Sequence, residues 1–255
     1  MSETIIKKQL ADLAEHFRIK ATYLTNTTST NDIARDSAYG EADIVFAEQQ
    51  TSGRGQRGNA WESRPGENLT FSIVLAPVTL DASRQFMLSI AVSLAIVDTL
   101  AVFDIEAQVK WPNDIYVGDR KIAGILIENN VMGDKLSRSI VGIGLNVNQK
   151  KFSPDLPNPT SMALETGEQF DRGAILRKFY DKLSIRYSGL ISDYHTTLLR
   201  DYHERLYLFE KPHTYTLPDG STFSGVIRSV EPTGTLIIER ENGSFKGFLF
   251  KEIEF

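Results

Sequence analysis

The chain has 255 residues, a hydrophobic content of 41% and a formal net charge of −5 at pH 7. The length and the hydrophobic content fit one large domain, or one of intermediate size with a small appendage. The net negative charge argues against a general nucleic-acid binder, because binding to phosphate backbones requires clustered lysine and arginine. The absence of cysteine excludes disulfides, thiolate metal sites and cysteine nucleophiles, and it fits a cytoplasmic enzyme. Residues 1–10 contain no apolar signal segment, and we interpret the apolar stretch 87–103 as a buried helix because it is too short and too interrupted for a membrane span.

The first half of the chain predicts strands and helices in alternation. A strand at residues 21–24 precedes capping chemistry at Thr30-Asn31-Asp32, which starts a helix. Apolar runs predict strands at 44–47 and 69–76, the second of them covered on both faces. Residues 83–100 then predict a long helix with one apolar face.

Several strands follow one another with tight turns in the middle of the chain. A strand that begins at Val109 continues to residue 117 and is joined by a hairpin turn to a strand at 121–128, and residues 139–145 form the next strand. Because no helices separate these strands, the fold class predicted is α+β, not a doubly wound α/β sheet. A helical segment at 171–199 follows, with Gly189 as a candidate break.

After Leu206 the sequence changes from a helical pattern to short β-strand patterns. Four short β-patterned runs, separated by turn residues, occupy 213–217, 223–230, 235–239 and 245–250. Strands at that spacing predict a small barrel that packs on the main domain. We therefore divide the chain into 1–206, the main domain, and 207–255, the barrel.

A glycine-rich loop with two arginines occupies residues 53–58. Its spacing satisfies the G-x-G-x-x-G dinucleotide pattern, but no helix is predicted after Gly58, as a bound pyrophosphate would require. Glycines let the backbone approach a ligand, and Arg54 and Arg57 can pair with phosphate or carboxylate, so we interpret the loop as an anion cradle. The alternative is a tight surface turn with solvated arginines.

A second chemical cluster lies at residues 110–114, with the sequence Lys-Trp-Pro-Asn-Asp. Asp114 is of the right type to hold Mg²⁺ beside a triphosphate. The hairpin turn that follows should bring Lys121 back beside Asp114. The alternatives are that Lys110 and Lys121 are solvated strand-edge charges and that Trp111 is a core residue.

Five blocks of sequence together resemble the biotin protein ligase family, in its order and with its spacings. They are Ser29-Thr30-Asn31; Gln50 ahead of Gly53, Arg54, Gly55, Gln56, Arg57 and Gly58 with Trp61; Lys110, Trp111, Pro112, Asn113 and Asp114; Lys121, Ile122, Ala123 and Gly124; and Gly142, Ile143, Gly144, Leu145 and Asn146. The resemblance covers nearly the whole chain. It implies a mixed sheet with packed helices, related to class II aminoacyl-tRNA synthetases, followed by an SH3-like barrel.

The resemblance also implies a two-step reaction. Biotin and MgATP would give biotinyl-5′-AMP and pyrophosphate, and a lysine of a biotin carboxyl carrier protein domain would then attack the acyl phosphate. The form expected is the monofunctional one, because only about 20 residues precede the first predicted strand, too few for a DNA-binding helix-turn-helix domain. Several ligases of this family pair through edge strands, so a homodimer is a further expectation.

The roles implied for single residues follow from the matched blocks. Biotin binding is expected from Ser29, Thr30, Asn31, Gln50, Gly53, Arg54, Gly55, Trp61, Lys121 and Gly124. ATP binding is expected from Arg54, Gln56, Arg57, Gly58, Trp61, Lys110, Trp111, Asn113, Asp114 and Asn146. The catalytic residues would be Lys121, Arg54 and Arg57, with Asp114 as the magnesium ligand, because a positioned cation offsets the repulsion between the biotin carboxylate and ATP.

One loop position departs from the family pattern. Many members carry an arginine where this chain has Gln56, and that arginine helps retain the reactive adenylate. We expect Gln56 to leave retention to backbone amides and Arg57.

Three rival functions stay open at this stage. A lipoate ligase would share the fold and the adenylation step but needs a pocket without groups for a ureido ring. A non-catalytic protein that binds biotin or nucleotide is disfavoured because Lys121 and Asp114 are both present. An NAD-dependent oxidoreductase is weakened by the missing helix.

Overall fold

The computed structural model describes residues 3–56 and 60–255. The helices are α1 Glu3–Phe17, α2 Thr30–Ala34, α3 Phe86–Ala101, α4 Met162–Thr166, α5 Arg172–Ile191 and α6 His195–Glu204. The strands are β1 Ala21–Thr27, β2 Ile44–Gln50, β3 Leu69–Leu75, β4 Gln108–Lys110, β5 Asp114–Val117, β6 Arg120–Met132, β7 Lys135–Leu145, β8 Pro212–Thr216, β9 Thr222–Val230, β10 Leu236–Arg240 and β11 Phe245–Phe248.

A mixed seven-stranded sheet forms the main part of the molecule. Its order is β1-β2-β3-β7-β6-β5-β4, in which β1 and β2 are parallel and every other pair is antiparallel. The α+β class with a mixed sheet is thereby confirmed. At the β4 edge, Val109 exchanges backbone hydrogen bonds with Arg205 and Tyr207, so that the segment leading to the C-terminal strands covers this edge.

Alternation along the strands gives the sheet two different faces. Phe71 and Ile73 of β3, and Val141 and Ile143 of β7, belong to the main core beneath α1, α3 and α5. The intervening residues of the same strands, which include Ser72, point to the other face, where α2 packs. The helical face therefore builds the main core, and the part of the opposite face that α2 does not cover is open for a site.

Helix α3 is the central helix of the core. Residues Ala82–Ala101 are long and apolar enough to cross a membrane by length and composition, yet 72% of the most apolar window is buried inside the protein. The helix packs against α5, α6 and the β4–β6 strands. The interpretation as a buried helix is confirmed, although it is apolar on all sides and not on one face alone.

The C-terminal strands form a separate four-stranded antiparallel sheet in the order β11-β10-β9-β8. All four strands lie within three residues of their predicted bounds. Its closure into an SH3-like barrel and the boundary at residue 206 stay predictions.

Several elements differ from the sequence-based expectations. The strand predicted from Val109 to residue 117 is two antiparallel strands, β4 and β5, joined by a turn at residues 111–113, and helix α4 was not predicted. Helix α1 was not predicted, although Ile6, Leu10 and Leu13 repeat at helical spacing and are buried against the sheet. Strands β6 and β7 extend further than their apolar cores, because polar residues continue the ladder to a turn at Gly133. The break in the 171–199 segment falls at residues 192–194, where Asp193 has a positive φ of 62°, and Gly189 remains helical.

Candidate functional site

A pocket of about 940 Å³ opens on the sheet face opposite the core helices. Its walls come from α2, the glycine-rich loop, the β4–β5 turn and the C-terminal end of the chain. The expected site residues that line it are Ser29, Thr30, Asn31, Gln50, Arg54, Gly55, Gln56, Trp61, Lys110, Trp111, Asn113, Asp114, Lys121 and Gly124. Segments from distant parts of the sequence thus meet in one cavity.

Glycines form the floor of the pocket. A Cβ atom at Gly144 would lie 2.1 Å from Trp61 Cε2, and one at Gly124 would lie 3.1 Å from Trp61 Cζ3, so the indole ring rests on these two positions. A Cβ at Gly142 would meet Asn31 Oδ1 at 2.4 Å. Glycine inside a strand marks such close approaches, and here it allows two side chains to lie flat on the sheet.

Neutral polar groups form one wall of the pocket. Gln50 Oε1 accepts hydrogen bonds from Thr30 N at 2.7 Å and Thr30 Oγ1 at 3.1 Å. Ser72 Oγ lies 2.7 Å from Thr30 Oγ1 and 2.6 Å from Asn31 Oδ1, and Asn31 Nδ2 donates to Glu128 at 3.1 Å. Ser29 is the N-cap residue of α2 but makes no capping bond with its hydroxyl. This cluster can recognise an uncharged ligand group that both donates and accepts hydrogen bonds.

The glycine-rich loop leaves β2 and returns at Trp61. Trp61 N–H donates to Gly53 O at 2.9 Å, and Arg54 and Ala60 form an antiparallel bridge. A Cβ at Gly53 would lie 2.4 Å from Trp61 O, so glycine lets the two arms of the loop approach. Gly53 lies at the base of this loop, outside the pocket lining. The described residues 60–68 contain no helix, and the chain passes on into β3.

Arg54 belongs to a small ion-pair cluster at the pocket rim. Its Nη2 lies 2.6 Å from Asp32 Oδ1 and 3.8 Å from Glu128 Oε1. Arg35 pairs with the same two carboxylates, at 2.9 and 2.7 Å. The guanidinium expected to meet a ligand phosphate is therefore balanced by protein carboxylates, and a bound anion has to compete with Asp32 for it.

Lys121 and Asp114 meet across the β5–β6 hairpin. Lys121 Nζ lies 2.7 Å from Asp114 Oδ1, and both side chains remain partly exposed to the pocket, at 32% and 24%. The positive φ of Gly118, 55°, forms the turn that reverses the chain between them. The predicted juxtaposition of these two residues is confirmed. A cation and a carboxylate on the same wall can bind a ligand anion and its metal counter-ion side by side.

Lys110 lies in a more enclosed part of the pocket. Its Nζ is 3.4 Å from Tyr116 Oη and 5.2 Å from the centre of the Phe255 ring. Burial lowers the pKa of Lys110, and the negative charges of Asp114 and Asp119 oppose that effect. The lysine is therefore not a fully solvated strand-edge charge, which was the alternative to a functional role.

Trp111 and Asn113 take part in structural hydrogen bonds as well as lining the pocket. Trp111 is buried, its Nε1 donates to Gly234 O at 3.0 Å, and its ring packs against Phe250 at 5.3 Å. Asn113 Nδ2 donates to Ile125 O at 2.8 Å, which ties the β4–β5 turn to β6. Most of the contacts of Trp111 are therefore those of a core residue, which was the alternative to a functional role.

Two of the expected site residues that the structure describes, Gly53 and Asn146, lie outside the pocket lining. Asn146 is buried outside the pocket lining, where its Nδ2 donates to Thr160 O at 2.9 Å. Its Oδ1 has no hydrogen-bond partner among the described residues. Arg57 and Gly58 lie outside the described residues, so their assignments stay predictions, as does that of Asn146.

Several lining residues were assigned no role from the sequence, although Gly142 and Gly144 belong to one of the matched blocks. They are Thr70, Tyr116, Gly142, Gly144, Pro157, Asn158, Pro218, Lys251, Ile253 and Glu254, with the Phe250 and Phe255 rings. The glycines in β7 carried a signal, since glycine at alternate positions of an apolar strand indicates a surface that something approaches. The C-terminal residues carried none, because only the tertiary fold brings them over the pocket.

Comparisons with known proteins agree with this geometry. Residues 19–146 match the model of the biotin/lipoate A/B protein ligase family. The chain is 30% identical over 227 residues to the bifunctional ligase/repressor BirA of Bacillus subtilis, covering 86% of this chain and 68% of that one. It is 28% identical to the biotin–[acetyl-CoA-carboxylase] ligase of Mycobacterium tuberculosis, covering 94% and 90%.

A solved structure gives the same result. The biotin protein ligase from Aquifex aeolicus, in complex with biotin and ATP, superposes with a TM-score of 0.77 at 25% identity, covering 92% of this chain and 97% of that one. The family match at residues 19–146 includes the strands and the loop that build the pocket described above. The chain belongs to the biotin/lipoate A/B protein ligase family.

Proposed function

We propose that this protein is a biotin–protein ligase that activates biotin with MgATP and transfers it to a lysine of a biotin carboxyl carrier protein. One observation carries the proposal: a neutral polar cluster around Thr30 and Gln50 shares a single pocket with the Lys121–Asp114 pair. The first can hold the uncharged ureido ring, and the second can serve the carboxylate and the nucleotide. The relatives' names and the Aquifex complex with biotin and ATP support the same substrates.

In the first step, a carboxylate oxygen of biotin attacks the α-phosphorus of ATP, and pyrophosphate leaves. Lys121 contacts both the carboxylate and the α-phosphate, because one ammonium between two anions offsets their repulsion in an enclosed site. Arg54 exchanges Asp32 for the phosphate. In the second step, the neutral amine of the carrier lysine attacks the carbonyl carbon, the bond from that carbon to the phosphate oxygen breaks so that AMP leaves, and the new amide nitrogen loses one proton.

Magnesium fits the residues present. Asp114 provides one carboxylate to the pocket, and the described residues contain no group of three His, Asp or Glu side chains able to hold a metal. Mg²⁺ commonly takes one or two carboxylates and completes its shell with phosphate oxygens and water. Asp114 would therefore hold an ion that arrives with ATP, and the ion would neutralise charge on the phosphates.

The remaining roles rest on the family resemblance and, for the residues that line the pocket, also on their position in it. The biotin site comprises Ser29, Thr30, Asn31, Gln50, Gly53, Gly55, Trp61 and Gly124, and the nucleotide site comprises Gln56, Arg57, Gly58, Lys110, Trp111, Asn113 and Asn146. The four-stranded C-terminal sheet closes as an SH3-like barrel over the nucleotide end. A homodimer would use the β1 edge, since the β4 edge is covered by residues 205–207. A cytoplasmic location remains part of the proposal.

Lipoate is the rival substrate within the family. A dithiolane ring offers no hydrogen bonds to the polar wall formed by the buried Thr30 and Asn31 and the half-buried Gln50, so we expect discrimination of roughly 10⁴ in favour of biotin. The test is to measure pyrophosphate release from MgATP with biotin, with lipoate and with neither. Release that requires biotin supports the proposal; release that prefers lipoate, or that needs no acid at all, overturns it.

A further inference from the structure

The backbone of Lys121 is held by a segment far away in the sequence. Its N–H donates to Asn158 O at 2.7 Å, and its carbonyl accepts from Thr160 N at 2.9 Å. Lys121 and Pro159 thereby form a parallel bridge at the start of β6. Both polar groups of the Lys121 peptide unit are thus satisfied by residues 158–160, which we call the brace.

The brace takes the place of β7 beside β6. Strand β7 ends at Leu145, opposite Ala123, so the first residues of β6 would otherwise lose their neighbour. Asn146 donates its backbone N–H to Ile122 O and its side-chain Nδ2 to Thr160 O, both at 2.9 Å. The end of β7 therefore positions the brace, and the brace continues the sheet at Lys121.

One carboxylate joins the brace to β6. The hydroxyl of Thr160, which is completely buried, donates to Glu165 on α4. Arg120, the residue before Lys121, donates from Nη2 to Glu165 Oε2 at 2.8 Å. Glu165 is itself largely buried, with 11% of its side chain exposed. Arg120, which precedes Lys121 in the chain, and Thr160, which hydrogen-bonds to the Lys121 backbone, are therefore both bound to the Glu165 carboxylate.

We propose that Thr160 and Glu165 are positioning residues for Lys121. They touch no substrate; they fix the backbone from which the flexible lysine side chain reaches the Asp114 side of the pocket. The inference rests on the proposed function for its effect on catalysis, because a misplacement of about 1 Å can cost up to roughly 10² in rate. The fixed position of the Lys121 ammonium, which is the geometric part of the inference, does not depend on the proposed reaction.

The test compares Thr160→Val, which removes the hydroxyl at nearly constant volume, with Thr160→Ser, which keeps it. In biotin-dependent pyrophosphate release we expect Thr160→Val to lower kcat about tenfold with little change in the KM for biotin. The KM should hold because the Thr30–Gln50 wall is built by other elements. Thr160→Ser should restore kcat. An unchanged kcat in Thr160→Val, or a serine variant as poor as the valine one, overturns the inference.

A second measurement does not depend on activity. Acetic anhydride labelling of Lys121, read by peptide mass spectrometry against the exposed Lys178, reports how firmly its ammonium is held. We expect labelling of Lys121 to rise about two- to fivefold in Thr160→Val, the range for losing a partly exposed ion pair, and to stay near wild type in Thr160→Ser. Unchanged labelling in the valine variant contradicts the inference. Absence of biotin-dependent release from the wild type would instead overturn the proposed function alone.

Discussion

Single glycines decide what the pocket floor can accept. Trp61 lies over Gly144 and Gly124, and its indole Nε1 is buried without a hydrogen-bond partner among the described residues. Lys121 Nζ is 5.8 Å from the centre of the same ring. The indole ring therefore lies between the glycine floor of the pocket and Lys121, the residue that we propose to be catalytic.

We expect Gly144→Ala to displace Trp61, because the new methyl group would lie 2.1 Å from the indole. The ring borders the pocket and can move into it, so the fold should survive while the KM for biotin rises about tenfold, the effect of losing roughly 1.4 kcal/mol of binding. Steady-state kinetics and a thermal melt of each variant provide the measurement.

The matched control is Gly189→Ala. Gly189 lies in α5 with nothing within 4 Å of an added Cβ, so alanine there should leave kinetics unchanged and stabilise the helix by about 0.5–1 kcal/mol. Wild-type kinetics in Gly144→Ala would show that the position of Trp61 does not matter for biotin.

The resemblance to the family predicted most of the pocket residues, but not the part each residue plays. The polar wall was implied by the matched blocks, and the Lys121–Asp114 pair followed from the length of the hairpin turn between them. Trp111 and Asn146 could not be resolved in the same way. Their hydrogen bonds to Gly234 O and Thr160 O depend on chain segments that lie far from them in sequence.

Whole elements were predictable where the pattern was local. The hairpin from β5 to β6 follows from its turn length, and it places Lys121 beside Asp114 as expected. The brace at residues 158–160 was not predicted, because it has no hydrophobic period and becomes strand-like only by pairing with Lys121. Long-range pairing of this kind cannot be read from a local pattern.

At the scale of the whole molecule, the C-terminal sheet packs on α6 and on the β4–β5 turn beside the site. Besides the Trp111 contact, His203 of α6 accepts a hydrogen bond from Val230 N of β9 at 2.9 Å through its Nε2 and stacks on Phe209. Burial lowers the pKa of His203 from its ordinary value of 6.5. An acceptor nitrogen requires the neutral ring, so this contact exists only while His203 is unprotonated.

This contact predicts a pH dependence of stability. Below pH 6.5 the unfolded chain binds a proton at His203 while the folded chain does not, so stability is full above that value and falls as the pH drops towards the lowered pKa. We expect urea unfolding between about pH 7.5 and 5.5 to show a loss on the order of 1 kcal/mol, the worth of one hydrogen bond.

The variant His203→Gln keeps an acceptor without a titrating ring and should flatten this dependence. His16→Gln, at an exposed position of α1, serves as the control and should leave it intact. An equal slope in His203→Gln and wild type would rule out His203 as its cause.

The central claim is that this pocket joins biotin to AMP with Lys121 between the two anions. The most direct measurement is an acid quench of stoichiometric enzyme, biotin and MgATP, with biotinyl-5′-AMP quantified by mass spectrometry for wild type and for Lys121→Ala, and folding of both checked by circular dichroism. We expect adenylate close to one equivalent on the wild type and a loss of at least roughly 10² in its rate of formation on the folded variant. Adenylate formed equally fast by Lys121→Ala, or none formed by folded wild type, would contradict the account.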